Sequence, residues 1–504
     1  MTVINPSSIS GITSITMPSG DGNVLTIHTN DGTERFRIDS SGNVKVGSAA
    51  TISPDGDLFV TGVCTATTLS GAASGLTGAL PAIDGSALTG IAATDNVRTG
   101  ILDVAGVSTF RNTMNVGAAV TISESGIEAS GIGITCANIN GTQIGGRRNL
   151  IINGDFRIAQ RSTSASTTDG YATVDRFRVN SAGTDEAPIQ AQVDVTAGTT
   201  PYTEGFRKAY KITNGNQTSG AGSGDFIRTL YLVEAQDLAN SGWNYTDPNS
   251  SITLSFWVKV SVAQTYYVNF RAYDGTGKMY CFAVALSANT WTKVVHTLPG
   301  HADLSFDNNN DEGLYIQWFQ FRGTNNTGTV TLNQWNNYDA SILTPDQTST
   351  WYTTNDATYE LTGVQFEVGP QATPFEHRSL GEEIRLCERY FCKSYDIGTE
   401  PSTATFVGAI HGRNYSSGGR SANPTFVYFP SRMRAQPTMT FYAGDGQSNR
   451  YSTGSTVGGT DLTSENTFGT TFINSESGIF HCDLGESVPA YNLYAFQYTA
   501  DAEL

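Results

Sequence analysis

Arg147-Arg148-Asn149-Leu150-Ile151-Ile152-Asn153-Gly154-Asp155-Phe156-Arg157-Ile158-Ala159-Gln160-Arg161 separates two stretches of unlike composition, and its reading decides the fold. Asn149 to Asn153 frames a short apolar run, and Asn153-Gly154-Asp155 has turn chemistry with a residue able to take positive φ. Phe156 and Ile158 alternate with Arg157 and Ala159, which predicts a half-buried strand opening a β domain. The alternative is the first strand and hairpin of any sandwich.

Downstream, residues 147–378 hold all six tryptophans, at 243, 257, 291, 318, 335 and 351. Ile252, Leu254, Phe256, Val258 and Val260 fall on one face of an alternating run, with Trp257 on the other. Tyr266 to Tyr273, Tyr280 to Leu286, Trp291 to Leu298, Leu314 to Phe321 and Tyr359 to Val368 are further strands, separated by Gly, Asn and Asp turns. Short strands at this spacing predict a sandwich. An exposed indole can stack on the apolar face of a pyranose, so Trp257, Trp318 and Trp335 are candidates for a sugar platform. The alternative for each ring is core or inter-chain packing.

Upstream, residues 1–146 contain no Trp or Tyr, and Phe36, Phe59 and Phe110 are their large aromatics. Short alternating runs such as Val24 to His28 and Val44 to Val46 sit between Gly-Asn, Ser-Gly and Asp-Gly turns. With an offset of 70, Val46 to Gly56 falls on Val116 to Gly126. A repeated unit that cannot bury its own apolar face must stack on neighbours or on other chains. Three chains sharing one axial core, a homotrimeric β shaft, is the expectation; a flexible Gly/Ser linker is the alternative.

Towards the end of the chain, Ser379-Leu380-Gly381-Glu382 reads as a capping box, followed by Ile384, Cys387 and Phe391 at helical spacing. Residues 379–396 are therefore a helical joint, packed either on the sandwich or on symmetry mates. In 397–504, Thr405 to Ile410, Thr425 to Phe429, Thr438 to Tyr442, Thr470 to Ile473 and Tyr491 to Tyr498 alternate as strands of a β tip. Loops at 415–421 and 444–459 bring Tyr415, Tyr442, Arg450 and Tyr451 forward as receptor contacts, against the alternative of ordinary surface groups.

The whole 504-residue chain, with 54 Gly and 15% charged residues, is expected to be mainly β. A formal charge of −17 with no Lys/Arg cluster argues against nucleic acid or an anionic membrane as partner. No signal-like start and no apolar run near 18 residues are visible, which predicts folding in a cytoplasm and no membrane insertion. The six cysteines lack disulfide or zinc spacing. Asp307-Asn308-Asn309-Asn310-Asp311-Glu312-Gly313 is rich in oxygen ligands yet misses the EF-hand register, so a solvated turn is expected and no metal or cofactor is implied. The six histidines accompany no hydrolase, metalloprotease or phosphate-loop motif, so no catalytic residue is assigned and the chain is read as a non-enzyme.

Several stretches resemble bacteriophage tail-fibre proteins, including those of cyanophages. These are Thr33 to Val44, Leu80 to Gly90, Asn149 to Phe156, Thr373 to Phe391 and Phe496 to Leu504. The resemblance implies an elongated homotrimeric fibre: an N-terminal attachment region and repetitive β shaft (1–146), a carbohydrate-binding-module-like jelly roll (147–378), the joint (379–396), and a receptor-binding tip (397–504). It implies a virion location, a tail or baseplate partner at the N-terminus, and a bacterial surface polysaccharide or outer-membrane receptor at the tip. A capsid-attached fibre and a surface-polysaccharide depolymerase are the alternatives. Jelly rolls of this kind often hold a structural calcium, but here Arg157 and Thr362-Gly363 stand where carboxylates are usual.

Overall fold

A computed structural model of the chain describes chiefly residues 24–63, 148–413, 424–454, 463–466, 468–482 and 493–504, with short strands between 108 and 143. Two units form, Met1–Gly117 and Ala118–Leu504. Among the described residues no helix is long and apolar enough to cross a membrane.

In the first unit β1 (Leu25–His28), β2 (Glu34–Ile38), β3 (Val44–Val46), β4 (Ala50–Ile52) and β5 (Leu58–Val60) make an antiparallel meander. Its register aligns Leu25 with Ile38, Ile27 with Phe36, Phe36 with Val46, Val44 with Ile52, Ala50 with Val60 and Ile52 with Leu58. Opposed residues share a face, so one face carries only apolar side chains. The other carries Thr26, Arg37, Lys45, Thr51 and Phe59. On a single chain four of its residues stay exposed, Ile27 at 54%, Val46 at 53%, Ile52 at 42% and Leu58 at 57%, and the rest are half-buried. A hairpin of β6 (Ser108–Phe110) and β7 (Met114–Val116) follows.

The second unit starts with hairpins of β8 (Val120–Ser123) with β9 (Gly126–Ala129) and β10 (Asn138–Ile139) with β11 (Thr142–Gln143). The 70-residue repeat is visible in strand positions, with β7 and β8 falling 70 residues after β3 and β4, but β3 pairs with β4 whereas β7 pairs with β6 and β8 with β9.

A two-sheet antiparallel sandwich comes next. Its strands are β12 (Phe177–Ala182), β13 (Ile189–Asp194), β14 (Lys208–Thr213), β15 (Phe226–Glu234), β16 (Ser251–Val260), β17 (Gln264–Ala272), β18 (Lys278–Leu286), β19 (Thr292–Pro299), β20 (Glu312–Arg322), β21 (Trp335–Asn337) and β22 (Thr358–Val368). The sheet orders are β12-β15-β20-β17-β18-β21 and β13-β14-β22-β16-β19, so the chain crosses repeatedly from one sheet to the other. Ile252, Leu254, Phe256, Val258 and Val260 all enter the core between the sheets, as the alternation predicts. The predicted strands after Val260 recur with ends shifted by up to two residues. Strands β12 to β15 were not anticipated.

The opening stretch departs from expectation. Residues 149–158 belong to no sheet, and Asn153 and Phe156 both take left-handed φ, +60° and +56°. The segment is a folded turn, because its polar side chains bond inward and replace a ladder.

Helix Leu380–Glu388 has the predicted capping box, with Ser379 N donating to Glu382 Oε2 (2.9 Å) and Glu382 N donating to Ser379 Oγ (3.3 Å). Such a cap is worth about 1 kcal/mol. Of the two packing partners considered, the opening turn takes it: Ile384 and Cys387 lie against Ile152, Ile158 and Tyr390. Phe391 is not on the helix; it starts β23 (Phe391–Lys393), because the helix stops at Glu388.

The tip is built on β31 (Leu493–Asp501). It pairs with β23, β24 (Ile410–Arg413), β26 (Thr438–Tyr442) and β27 (Arg450–Gly454), and β28 (Thr463–Asn466) extends the sheet from β27. β25 (Pro424–Tyr428), β30 (Ser477–Cys482) and β29 (Phe468–Ile473) form a separate three-stranded sheet. Strand β24 begins only at Ile410, where a strand ending at Ile410 was expected, and β27 occupies part of the expected loop 444–459.

Candidate functional site

Buried polar side chains of the opening turn fasten sandwich, helix and tip together. Asn149 Oδ1 accepts from Ile151 N (2.9 Å) and Phe366 N (3.0 Å), and Asn153 Nδ2 donates to Ile158 O (2.8 Å) and Asp175 O (2.9 Å). Gly154 O accepts from Val364 N (2.9 Å), and a Cβ at Gly154 would stand 2.0 Å from Val364 O. Only glycine lets those two backbones meet.

Behind the turn lies a buried ionic layer. Arg176 pairs with Glu503 and donates through Nη2 to Leu232 O (2.7 Å), while its guanidinium covers the Tyr390 ring at 3.4 Å. Burial opposes the Arg176 charge, yet Glu503 and the neighbouring tyrosines outweigh it and hold the group firmly protonated. Burial likewise raises the Asp175 carboxyl above its ordinary value, partly offset by Arg161. Arg389 grips Glu234 with two hydrogen bonds (2.9 and 2.8 Å), which with Tyr390 outweigh the burial of Glu234 and lower its pKa. The Leu504 main-chain oxygen accepts from Tyr171 Oη (3.1 Å) and Arg178 Nη1 (3.0 Å). The stretch 502–504 is therefore tied to the sandwich.

Beside this layer, where sandwich and tip meet, is a cleft of about 630 Å³. On β26 and β31 the register sets Thr438 opposite Asp501, Thr440 opposite Thr499 and Tyr442 opposite Gln497, so these residues share a face. Phe391, opposite Asp501 on β23, shares that face too, and Arg161 and Tyr171 of the sandwich complete the lining. Arg161 lies over the Phe391 ring at 3.9 Å and donates to Asp501 Oδ2 (3.0 Å) and Glu503 Oε1 (3.4 Å). Asp501 Oδ1 accepts from Glu503 N (3.0 Å), and the Asp501 side chain is still 42% exposed. The Thr438 and Thr440 hydroxyls and the Tyr442 phenol hydrogen-bond to no described residue.

Among the described residues put forward as receptor or sugar contacts, Tyr442 alone lies in this cleft. Tyr415 is outside the described residues. Tyr451 is fully buried in the tip core and Arg450 is half-buried on β27, so neither is the open loop contact expected. All three proposed platform rings are buried too. Trp318 sits between Phe177 and Phe256 at 6.2 and 5.8 Å in the sandwich core. Trp335 donates Nε1 to Pro299 O (2.8 Å), and Trp257 donates Nε1 to Glu204 Oε2 (3.1 Å). Trp257 does occupy the outer face, but Phe206, Phe375 and Trp291 pack over that face and deny it to solvent. Sequence reasoning missed the open aromatics instead: Phe426 and Tyr428, on one face of β25, are 59% and 76% exposed. Their i, i+2 spacing inside a correctly predicted strand was the available signal.

The calcium geometry that such jelly rolls often have does not fit these residues. Arg157 pairs with Asp155, Thr362 Oγ1 donates to Lys208 O (2.7 Å), and Gly363 lies against the Phe206 ring. In the 307–313 loop Asp307 N donates to Asp274 Oδ2 (3.0 Å), and the Asn310 carbonyl accepts from Arg434 Nη1 (2.6 Å). That loop docks the tip, where a solvated turn was expected. Cys281, Cys387 and Cys392 are free and buried, and burial raises the Cys281 thiol to about 12.

Fold and site define a two-sheet β-sandwich joined through a buried ionic layer to a second β domain. No family model matches the chain, and no curated protein matches it. Solved structures with similar folds include the enzymatically active domain of tailspike protein 4 from bacteriophage CBA120 (10% identity, TM-score 0.24, 44% of this chain). This chain spans 21% of that tailspike. A CBM4 module (14% identity, TM-score 0.22) is covered over 97% of its length by 43% of this chain. A putative sugar-binding protein from Bacteroides thetaiotaomicron (13% identity, TM-score 0.24) is covered completely by 44%.

Proposed function

We propose that the protein is a structural fibre of a bacteriophage virion that attaches to a bacterial host surface by binding glycan. In this reading the chain is a homotrimer, its N-terminal region meets a tail or baseplate partner, and the tip faces the host. The observation that carries it is the meander at 25–60, which has one wholly apolar face with Ile27, Val46, Ile52 and Leu58 still exposed on a single chain. Apolar surface of that extent demands cover, and neighbouring copies of the same strands supply it at the least cost in new structure. The exposed Phe426 and Tyr428 and the hydroxyl-lined cleft suit sugar recognition. The cleft carboxylates are engaged by Arg161, which suits binding better than proton transfer, so the protein is read as a binder and not a depolymerase.

Light scattering of the full-length protein should give the mass of three chains, and a version lacking residues 1–146 should give a smaller assembly or one chain. Labelled protein should bind host cells, and host polysaccharide incubated with it should keep its length. A full-length monomer would remove the fibre reading, and progressive shortening of the polysaccharide would replace binder with enzyme.

A further inference from the structure

We infer that the cleft between sandwich and tip is a saccharide site for neutral hexose units, an assignment that rests on the glycan-binding reading above. Its chemistry is that of a polyol receptor. Thr438, Thr440 and Tyr442 stand at alternate positions of β26, about 7 Å apart in successive rows, and project from the face that lines the cleft. Their three hydroxyls, without partners among the described residues, can each donate one hydrogen bond and accept others.

Asp501 completes the row. An ionised carboxylate has about four acceptor positions, and here Arg161 and Glu503 N take one on each oxygen. The remaining positions belong to a side chain 42% exposed on the cleft face. A carboxylate held by an arginine and flanked by hydroxyls can accept from two adjacent sugar hydroxyls without moving. Fixed partners matter, because groups already oriented lose little entropy on binding.

Charge selects the class of sugar. The lining carboxylates Asp501 and Glu503 already engage Arg161 of the lining and Arg176 behind it, so these two cations are compensated. A hexuronate or other acidic sugar would bring a third negative charge with no free cation to meet it. A neutral ring meets no such penalty, and its apolar face can lie on Tyr442, which the Tyr395 ring supports edge-on at 5.9 Å. The cleft volume of about 630 Å³ is that of an ordinary small-ligand pocket.

The test is binding of full-length protein to an array of neutral gluco-, galacto- and manno-oligosaccharides beside oligogalacturonate, with affinities by calorimetry. Thr440→Val removes one hydroxyl while keeping shape, and should weaken binding to a neutral member roughly 3- to 10-fold. Tyr442→Ala should weaken it about 10-fold or more, and unchanged melting temperatures would separate both effects from misfolding. Binding to neutral members with equal affinity in both variants would overturn the cleft assignment and leave glycan binding by another surface standing. Binding confined to oligogalacturonate would overturn the neutral class. Failure to bind any member of the array, or intact host cells, would overturn the glycan-binding reading and the cleft together.

Discussion

Replacing Glu503 by glutamine should loosen the tip from the sandwich at a cost readable in stability. Arg176 and Glu503 side chains are 1% and 4% exposed, so neither charge has water to fall back on. Removing one partner of such a pair strands the other, at about 3–5 kcal/mol. The Glu503→Gln amide still offers an oxygen to Arg176, and Leu232 O and the Tyr390 face remain, so the lower end, about 3 kcal/mol, is expected. For a domain of this size that lowers Tm by roughly 6–12 °C. Replacing both partners with apolar residues, Arg176→Met with Glu503→Leu, should recover much of the loss because no stranded charge remains. Urea unfolding followed by near-ultraviolet circular dichroism reads the stability, and limited proteolysis reports whether the tip releases first. A Glu503→Gln cost below about 1 kcal/mol, or a double variant no better than the worse single one, would refute the claim that this pair pins the two domains.

Three further outcomes follow from other residues. His296 stacks on Phe282 at 3.9 Å and hydrogen-bonds to Tyr280 (3.1 Å), and burial lowers its pKa to about 4. Its unfolded form binds a proton that the folded form refuses between pH 6.5 and 4, so its contribution is full above 6.5 and is lost as pH falls through that window. Allowing for partial exposure, wild type should lose about 1–2 kcal/mol more than His296→Gln across this range, and equal losses in urea titrations would count against it. Gly154→Ala should cost about 3 kcal/mol or more, because its Cβ would strike Val364 O, and a Tm within 2–3 °C of wild type would contradict that contact. Tyr428→Ser should leave Tm unchanged within error, since the ring is mostly in water; a loss beyond about 1 kcal/mol would mean the ring is covered in the assembled protein.

Much of the architecture is legible in the amino-acid order, and the reason is periodicity. Ile252 to Val260 enter the core at every second residue because a strand has period 2 and one buried face. The capping box at Ser379 and Glu382 is legible because its partners lie three residues apart. Residues 24–60 announce their one-sided apolar character in the same way, since short turns fix the register that gathers the apolar positions.

What only the tertiary structure decided is which faces other parts of the chain then cover. Alternation puts Trp257 on the outer face, but Phe206 and Phe375, over 50 and 110 residues away, close over it. The Asn153-Gly154 turn looks like a hairpin locally and becomes a fastening point because Val364 and Asp175 arrive from elsewhere to bond it. The candidate cleft is of the same kind: Arg161 and Tyr171 come from the sandwich, and Thr438, Tyr442 and Asp501 from two strands of the tip. Period and turn chemistry are local and can be read along a chain. Burial, ion pairing and a shared cleft depend on contacts between distant segments, and those exist only once the core has formed.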